Sequence, residues 1–262
     1  MDLGLKGKIA LLTGASQGLG FAAAEALAKE GVDIAINSRN ENVLSKAGDK
    51  LAKYGTRIVS LPGDVTDPDQ AEMLVGGTIA TLGQLDLLFT NAGGPPPGSF
   101  ESFDDQDWQH AIELSFMSHV RLIRAALPQL RKSDDPAVLT VTSISVKQPI
   151  PNLVLSNSIR AATVGLTKTL ALELGNEGIR FNSILPSWTK TERVENLLAD
   201  RARRKNTSPE EEIRKQNEQS PLGRMARPEE FGKAAAFLLS PAASYITGVM
   251  LTVDGGTYKG LL

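Results

Sequence analysis

Short apolar runs alternate along the chain with longer stretches whose apolar residues recur at helical spacing. Residues 8–12 (KIALL) are short and mostly apolar, as a strand buried on both faces should be, and residues 21–29 (FAAAEALAK) consist almost wholly of good helix formers. Residues 32–37 (VDIAIN) alternate toward a second strand, a helix follows over 41–54, and 57–61 read as a third strand. Asp67 is placed to cap a helix that follows Pro68. The pattern then predicts a fourth strand at 85–89, a long helical region from about 104 to 131, a fifth strand at 137–142 (AVLTVT), a helix over 152–175 and a sixth strand at 179–185. Pro228 opens a last helix to Leu239, and 249–253 make a seventh strand. Between the sixth strand and the last helix, residues 193–219 interleave Glu, Arg and Lys with Val194, Leu197, Leu198, Ala202 and Ile213. That segment reads either as a helical lid over the substrate, at about 192–220, or as a solvated surface excursion. Strand and helix alternate throughout, so the fold class is α/β: a doubly wound parallel sheet of about seven strands, helices on both faces, right-handed crossovers. With no repeat and no linker-like boundary, residues 1–262 read as a single domain.

The first strand-to-helix turn adds chemistry to this frame. Gly14, Gly18 and Gly20, with Ser16, Gln17 and Leu19 between them, let the backbone turn tightly and approach a ligand without a Cβ in the way. A helix starting there aims free N–H groups and the positive end of its dipole at a pyrophosphate, which makes the domain a Rossmann-type dinucleotide-binding one. Ser38 and Arg39 stand where the second strand ends. An acidic side chain at that position would hold both ribose hydroxyls, whereas arginine beside a hydroxyl suits a 2′-phosphate, so the preferred cofactor is NADP(H), with NAD(H) the alternative. Asp64, after the third strand, is placed to meet an adenine amino group, and Asn91, Ala92 and Gly93 follow the fourth strand where strand order should reverse.

Composition narrows the partners. The 262 residues carry 28 Lys plus Arg against 30 Asp plus Glu, a net charge of −2, which points to small-molecule substrates and away from nucleic acid and anionic membranes. The absence of cysteine excludes disulfides and thiolate chemistry and fits a reducing compartment; together with an N-terminus lacking a charged-then-apolar leader it predicts a cytoplasmic protein. Two histidines, His110 and His119, and no acidic cluster at ligand spacing leave a metal little to bind.

Taken together, the motifs resemble those of the short-chain dehydrogenase/reductase family, particularly its 3-oxoacyl-acyl-carrier-protein reductase-like branch, over essentially the whole chain. Residues 13–20 (TGASQGLG) are similar to the family's cofactor loop, Asn91-Ala92-Gly93 to its NAG motif, and Asp64-Val65 to its adenine-side pair. Residues 186–191 (PSWTKT) are similar to its PGxxxT segment, with Ser187 in place of glycine, so Pro186, Ser187, Thr189 and Thr191 join the cofactor set, and Asp254-Gly255-Gly256 resembles its C-terminal signature. The resemblance implies hydride transfer between NADP(H) and a carbonyl or alcohol, and a homotetramer or homodimer built on the helices around 104–131 and 152–175.

The catalytic positions depart from the family. Ser143 matches its carbonyl-orienting serine, but the proton-donating tyrosine position holds Ser156, the lysine four residues on is Arg160, and the asparagine seven residues after Trp108 is Ser115. A phenol has a pKa of about 10 and an adjacent cation brings it toward neutrality, while an aliphatic hydroxyl is a far weaker acid. Arg160 keeps a permanent charge and can hold ribose hydroxyls without relaying protons. Ser143 and Ser156 can orient and polarise a carbonyl while water or substrate supplies the proton; Lys147, on a loop rimming the pocket, and His119, four residues after Ser115, are alternative acids. The rival reading is a catalytically impaired NADP(H)-binding protein with a sensor or regulatory role, and a third is non-redox chemistry such as dehydration or epimerisation.

Overall fold

In the first strand, β1 (Ile9–Leu12), Ile9 and Leu11 pack into the hydrophobic core on one side of the sheet, Ala10 and Leu12 into the core on the other, and all four are buried. A strand covered on both faces has no polar face to display, which is why it reads as a continuous apolar run. The structure is a computed structural model in which residues 2–261 are described. After β1 come α1 (Gly18–Lys29), β2 (Asp33–Ser38), α2 (Glu41–Ala52), β3 (Ile58–Pro62), α3 (Gln70–Leu82), β4 (Leu87–Thr90), α4 (Asp105–Ile112), α5 (Ser118–Leu130), β5 (Ala137–Val141), α6 (Val154–Glu173), β6 (Arg180–Pro186), α7 (Glu192–Lys205), α8 (Pro209–Glu218), α9 (Pro228–Leu239) and β7 (Met250–Val253).

All seven strands are parallel, in the order β3-β2-β1-β4-β5-β6-β7. The chain works outward from β1 to β3 and then returns to pair β4 with the free side of β1, so strand order reverses between β1 and β4 and a crevice opens there at the strands' C-terminal ends. Leu27, Leu44 and Phe231 fill the core on the face of α1, α2 and α9, and Leu74, Leu122 and Ala171 the opposite one, on α3, α5 and α6. Helices α1 and α9 pack so closely that a Cβ on Gly232 would stand 2.3 Å from the Ala22 carbonyl oxygen.

Three expectations change. The region expected as one helix over 104–131 is α4 and α5 joined by a π turn, Glu113–Met117, whose Ser115 carbonyl accepts a hydrogen bond from Thr163 Oγ1 at 2.7 Å; that cross-helix bond draws the widened turn onto α6. The charged stretch 193–219 is a helical hairpin, α7 and α8, turning at Asn206 in the left-handed conformation (φ 52°), with Thr191 and Ser208 capping its helices. Asp67 does not cap α3, which begins at Gln70. Its carboxylate instead accepts the Asp69 N–H and its carbonyl the Gln70 N–H, which spends it on the turn ahead of the helix. Among the described residues, no helix is long and apolar enough to cross a membrane and no group of acids and histidines could hold a metal ion.

Candidate active site

Helix α1 begins at Gly18, inside the glycine turn. Gly14 and Gly18 adopt φ of 57° and 58°, the left-handed region that glycine enters without penalty. The turn is folded tightly on itself: a Cβ on Gly20 would lie 2.1 Å from the Gly14 carbonyl oxygen, and one on Gly14 would lie 2.8 Å from the Asn91 carbonyl oxygen. Thr13 and Asn91 lock it in place. Thr13 Oγ1 donates to the Asn91 carbonyl (2.8 Å) and accepts the Asn91 N–H (3.0 Å), while Asn91 Nδ2 donates to the Gly14 carbonyl (3.0 Å). Gln17 at the N-cap gives α1 no side-chain cap, and its first turn carries no acid, so the leading N–H groups and the positive helix end face the crevice with no anion of their own. A cradle that any side chain would fill, over an uncapped helix end, fits a diphosphate.

At the tips of β2 and β3, Asn37 Nδ2 bonds the Leu61 and Gly63 carbonyls, which holds Ser38 and Arg39 beside Asp64. The Arg39 side chain is 71% exposed and only loosely paired with Asp64, at 3.7 Å, so its guanidinium is free to take a phosphate. Partial burial works against the Asp64 charge, but hydrogen bonds from the Thr66 N–H and hydroxyl, with the Arg39 charge, hold its carboxyl below the usual range.

These groups line one cleft of about 1300 Å³ together with Ser16, Gln17, Leu19, Val65, Ala92, Gly93, Ser143, Ser156, Arg160, Pro186, Ser187, Thr189 and Thr191. Gly20 is not on its surface; it packs beneath, against the backbone of Gly14 and Ala15 in the turn. Ser143 lies two residues beyond β5 and caps the short turn that follows, where its Oγ accepts the Ser145 N–H at 3.1 Å, leaving its own proton to point elsewhere. One helical turn separates Ser156 from Arg160 on α6. Arg160 is 8% exposed and its Nη1 donates to the carbonyls of Val141 and Thr142, both at 3.1 Å, so the last residues of β5 hold the guanidinium at the cleft floor. Burial, with the nearby Arg193 charge, pushes it down to about 10.

Other positions singled out in the sequence go elsewhere. Ser115 does not line the cleft: it is buried in the π turn, where its carbonyl rather than its hydroxyl is engaged. His119 is fully enclosed, with Nδ1 2.7 Å from Thr90 Oγ1, and burial followed by the Arg160 charge drives its pKa down to about 3, so it stays neutral and away from the cleft. Lys147 lies over the Tyr258 ring, 5.3 Å from its centre, outside the cleft lining. Sequence reasoning passed over Arg193, in the first turn of α7. Its Nη2 stands 2.6 Å from where a Gly94 Cβ would be, and Arg160 Nη2 stands 3.4 Å from the same point. The available signal was its place two residues beyond Thr191, at the mouth of the amphipathic segment.

A family model described as enoyl-(acyl carrier protein) reductase matches residues 14–258. The 7α-hydroxysteroid dehydrogenase of Escherichia coli (strain K12) is 31% identical over 260 residues, covering 99% of this chain and 98% of that protein. The L-sorbose reductase of Gluconobacter frateurii, solved with NADPH and L-sorbose, superposes with a TM-score of 0.95 at 33% identity over all of both chains. A short-chain oxidoreductase from Pseudomonas aeruginosa PAO1, solved with NADPH and described as containing an atypical catalytic center, superposes with a TM-score of 0.87 at 31% identity over 97% of both chains. Matches of this extent, on a seven-stranded sheet whose crevice holds the glycine turn, are decisive for descent: the chain belongs to the short-chain dehydrogenase/reductase family, and its general role is that of an oxidoreductase.

Proposed function

We propose that the protein is an NADP(H)-dependent oxidoreductase interconverting a carbonyl and an alcohol, with Ser143, Ser156 and Arg160 as its altered catalytic group. The observation that carries this reading is the sharing of one cleft by the uncapped start of α1 and, further along it, by those three residues. The Gly14–Gly20 turn, Asn91, Ala92 and Gly93 would hold the diphosphate and ribose. Arg39 and Ser38 would take the 2′-phosphate, and Pro186, Ser187, Thr189 and Thr191 the nicotinamide end. Ser187 Oγ is buried with no hydrogen-bond partner, which fits a position that meets a ligand atom. That Gluconobacter and Pseudomonas relatives were solved with NADPH supports the choice of coenzyme.

The bound nicotinamide would supply or accept the hydride. Ser143 Oγ, with the Ser145 N–H satisfied, donates to the substrate carbonyl oxygen and fixes its distance and direction. Arg160 keeps its positive charge at the cleft floor, where the guanidinium would stand near the ribose hydroxyls and its charge lowers the energy of negative charge developing on that oxygen. Ser156 completes the polar wall and, being too weak an acid to replace a phenol, holds the water that delivers the proton. The α7–α8 hairpin acts as the lid over the substrate. Leu172 on α6, and Phe100 in the turn before α4 where it meets Trp108, are exposed apolar side chains on and beside these two helices, which supports assembly as a dimer or tetramer.

NADPH consumption over a panel of carbonyl compounds tests this. Turnover in the wild type should fall by about a hundredfold or more in Ser143→Ala while NADPH binding is retained. Tight NADPH binding with no turnover, even in the double variant Ser156→Tyr with Arg160→Lys, would establish the sensor reading instead.

A further inference from the structure

Two guanidinium groups meet at Gly94 with no acid between them. Arg160 comes up from α6 and Arg193 reaches across from α7, and their Nη2 atoms stand 3.4 and 2.6 Å from the place of a Gly94 Cβ. A Cβ at that point would touch Arg160 and displace the movable end of Arg193. Arg193 also points Nη2 at the Pro95 carbonyl, at 3.5 Å, a contact too long to satisfy it. The loop bearing Gly94 and Pro95 is itself fixed, because the Gly98 N–H bonds the Asn152 carbonyl (2.8 Å) at the entry to α6. Burial and the Arg193 charge lower the pKa of Arg160, and partial desolvation lowers that of Arg193, whose side chain stays open to solvent on one side; among the described residues neither forms an ion pair with a carboxylate. Of the acids lining the same cleft, Asp64 is paired with Arg39 and Asp200 with Arg203, while Glu25 is paired with Lys29 and Lys53. Glu192 and Glu229 lie in the first turns of α7 and α9, where helix dipoles favour them.

Like charges held this close, one of them buried, repel unless an anion sits between them. We infer that the Arg160–Arg193 pair at Gly94 is a seat for an anionic group, and that the substrate is a carbonyl compound carrying a carboxylate. Paired guanidinium groups offer parallel N–H donors that match the two oxygens of a carboxylate. The position favours substrate: Arg160 hangs from the end of β5 immediately before Ser143, the residue assigned to the substrate carbonyl. A second source of the same anionic chemistry is the coenzyme's diphosphate, since Thr191, which caps α7, also lies 3.7 Å from where a Gly18 Cβ would be. The inference rests on the oxidoreductase reading for the word substrate, though the seat itself does not.

The test is a ligand-observed NMR titration of the full chain, with and without NADP+, using acetoacetate and its uncharged methyl ester, together with calorimetric titration of NADPH. Acetoacetate should bind the wild type more tightly than the ester. Arg193→Gln should weaken acetoacetate by about tenfold or more, leave the ester unchanged, and leave NADPH affinity within about twofold. Retained NADPH binding reports that the variant is folded. In Gly94→Leu, whose side chain fills the point the two guanidinium groups share, acetoacetate should weaken likewise. Equal binding of acid and ester, or no change in Arg193→Gln, overturns the seat. Loss of NADPH affinity with acetoacetate unaffected overturns the substrate assignment and gives the pair to the diphosphate. If the wild type binds acetoacetate as described but no NADPH, the seat stands and the oxidoreductase reading fails.

Discussion

His119 and Arg160 show how little a residue's type says until its neighbours are known. Both carry chemistry that a catalytic centre uses, yet His119 is sealed against Thr90 and kept neutral, while Arg160 is pinned to two carbonyls at the cleft floor. A histidine whose pKa is lowered to about 3 by burial has a definite effect on stability. As pH falls below about 6.5, the unfolded chain takes a proton at His119 that the folded chain refuses, so stability is full above that pH and drains away down to about 3. The limiting slope is about 1.4 kcal/mol per pH unit. Chemical denaturation of the wild type and His119→Gln, whose side chain cannot titrate, should show the wild type's advantage shrinking as pH falls from about 7 to about 5. A constant difference between the two would mean that His119 is hydrated or charged in the fold. The spacing of the serines and Arg160 was legible because helical period and strand ends place them. The withdrawal of Ser115 and His119 was not, since which face of a helix is covered depends on packing that the sequence does not display.

At the scale of elements, the glycine turn and its two clamping strands behave as one part. Gly20 sits against the Gly14 carbonyl, so a methyl there cannot be accommodated by moving a flexible side chain; backbone must shift. Gly20→Ala should therefore cost about 2 kcal/mol or more and also spoil the aim of the α1 N–H groups. Thermal unfolding with and without NADPH would show a lower midpoint for the variant and no upward shift on adding coenzyme, where the wild type shifts. A variant that melted like the wild type and shifted equally would contradict the role given to the turn. The strands and most helices were readable from apolar runs and helix formers, but two features were not drawn out. The hairpin of α7 and α8 was signalled by Asn206, Ser208 and Pro209, a left-handed stop followed by a cap and a first-turn proline, yet charge along 193–219 masked it. The π turn has no such signature, because what widens it is the Thr163–Ser115 bond from another helix.

For the whole molecule, a parallel sheet wound in both directions from β1 gathers at one edge everything the proposed chemistry needs. Residues from the ends of β1, β2, β4, β5 and β6 reach the same cleft, although they are spread over most of the chain. Function of this kind follows from topology: reversing strand order opens the crevice, and the loops at the strand ends then line it. The most direct test is calorimetric titration of the full chain with NADPH and with NADH, for the wild type and Arg39→Glu. The account predicts saturable binding to the wild type, NADPH tighter than NADH by about tenfold or more, and that preference lost or reversed in Arg39→Glu. Absence of binding heat with both coenzymes in the wild type would contradict it.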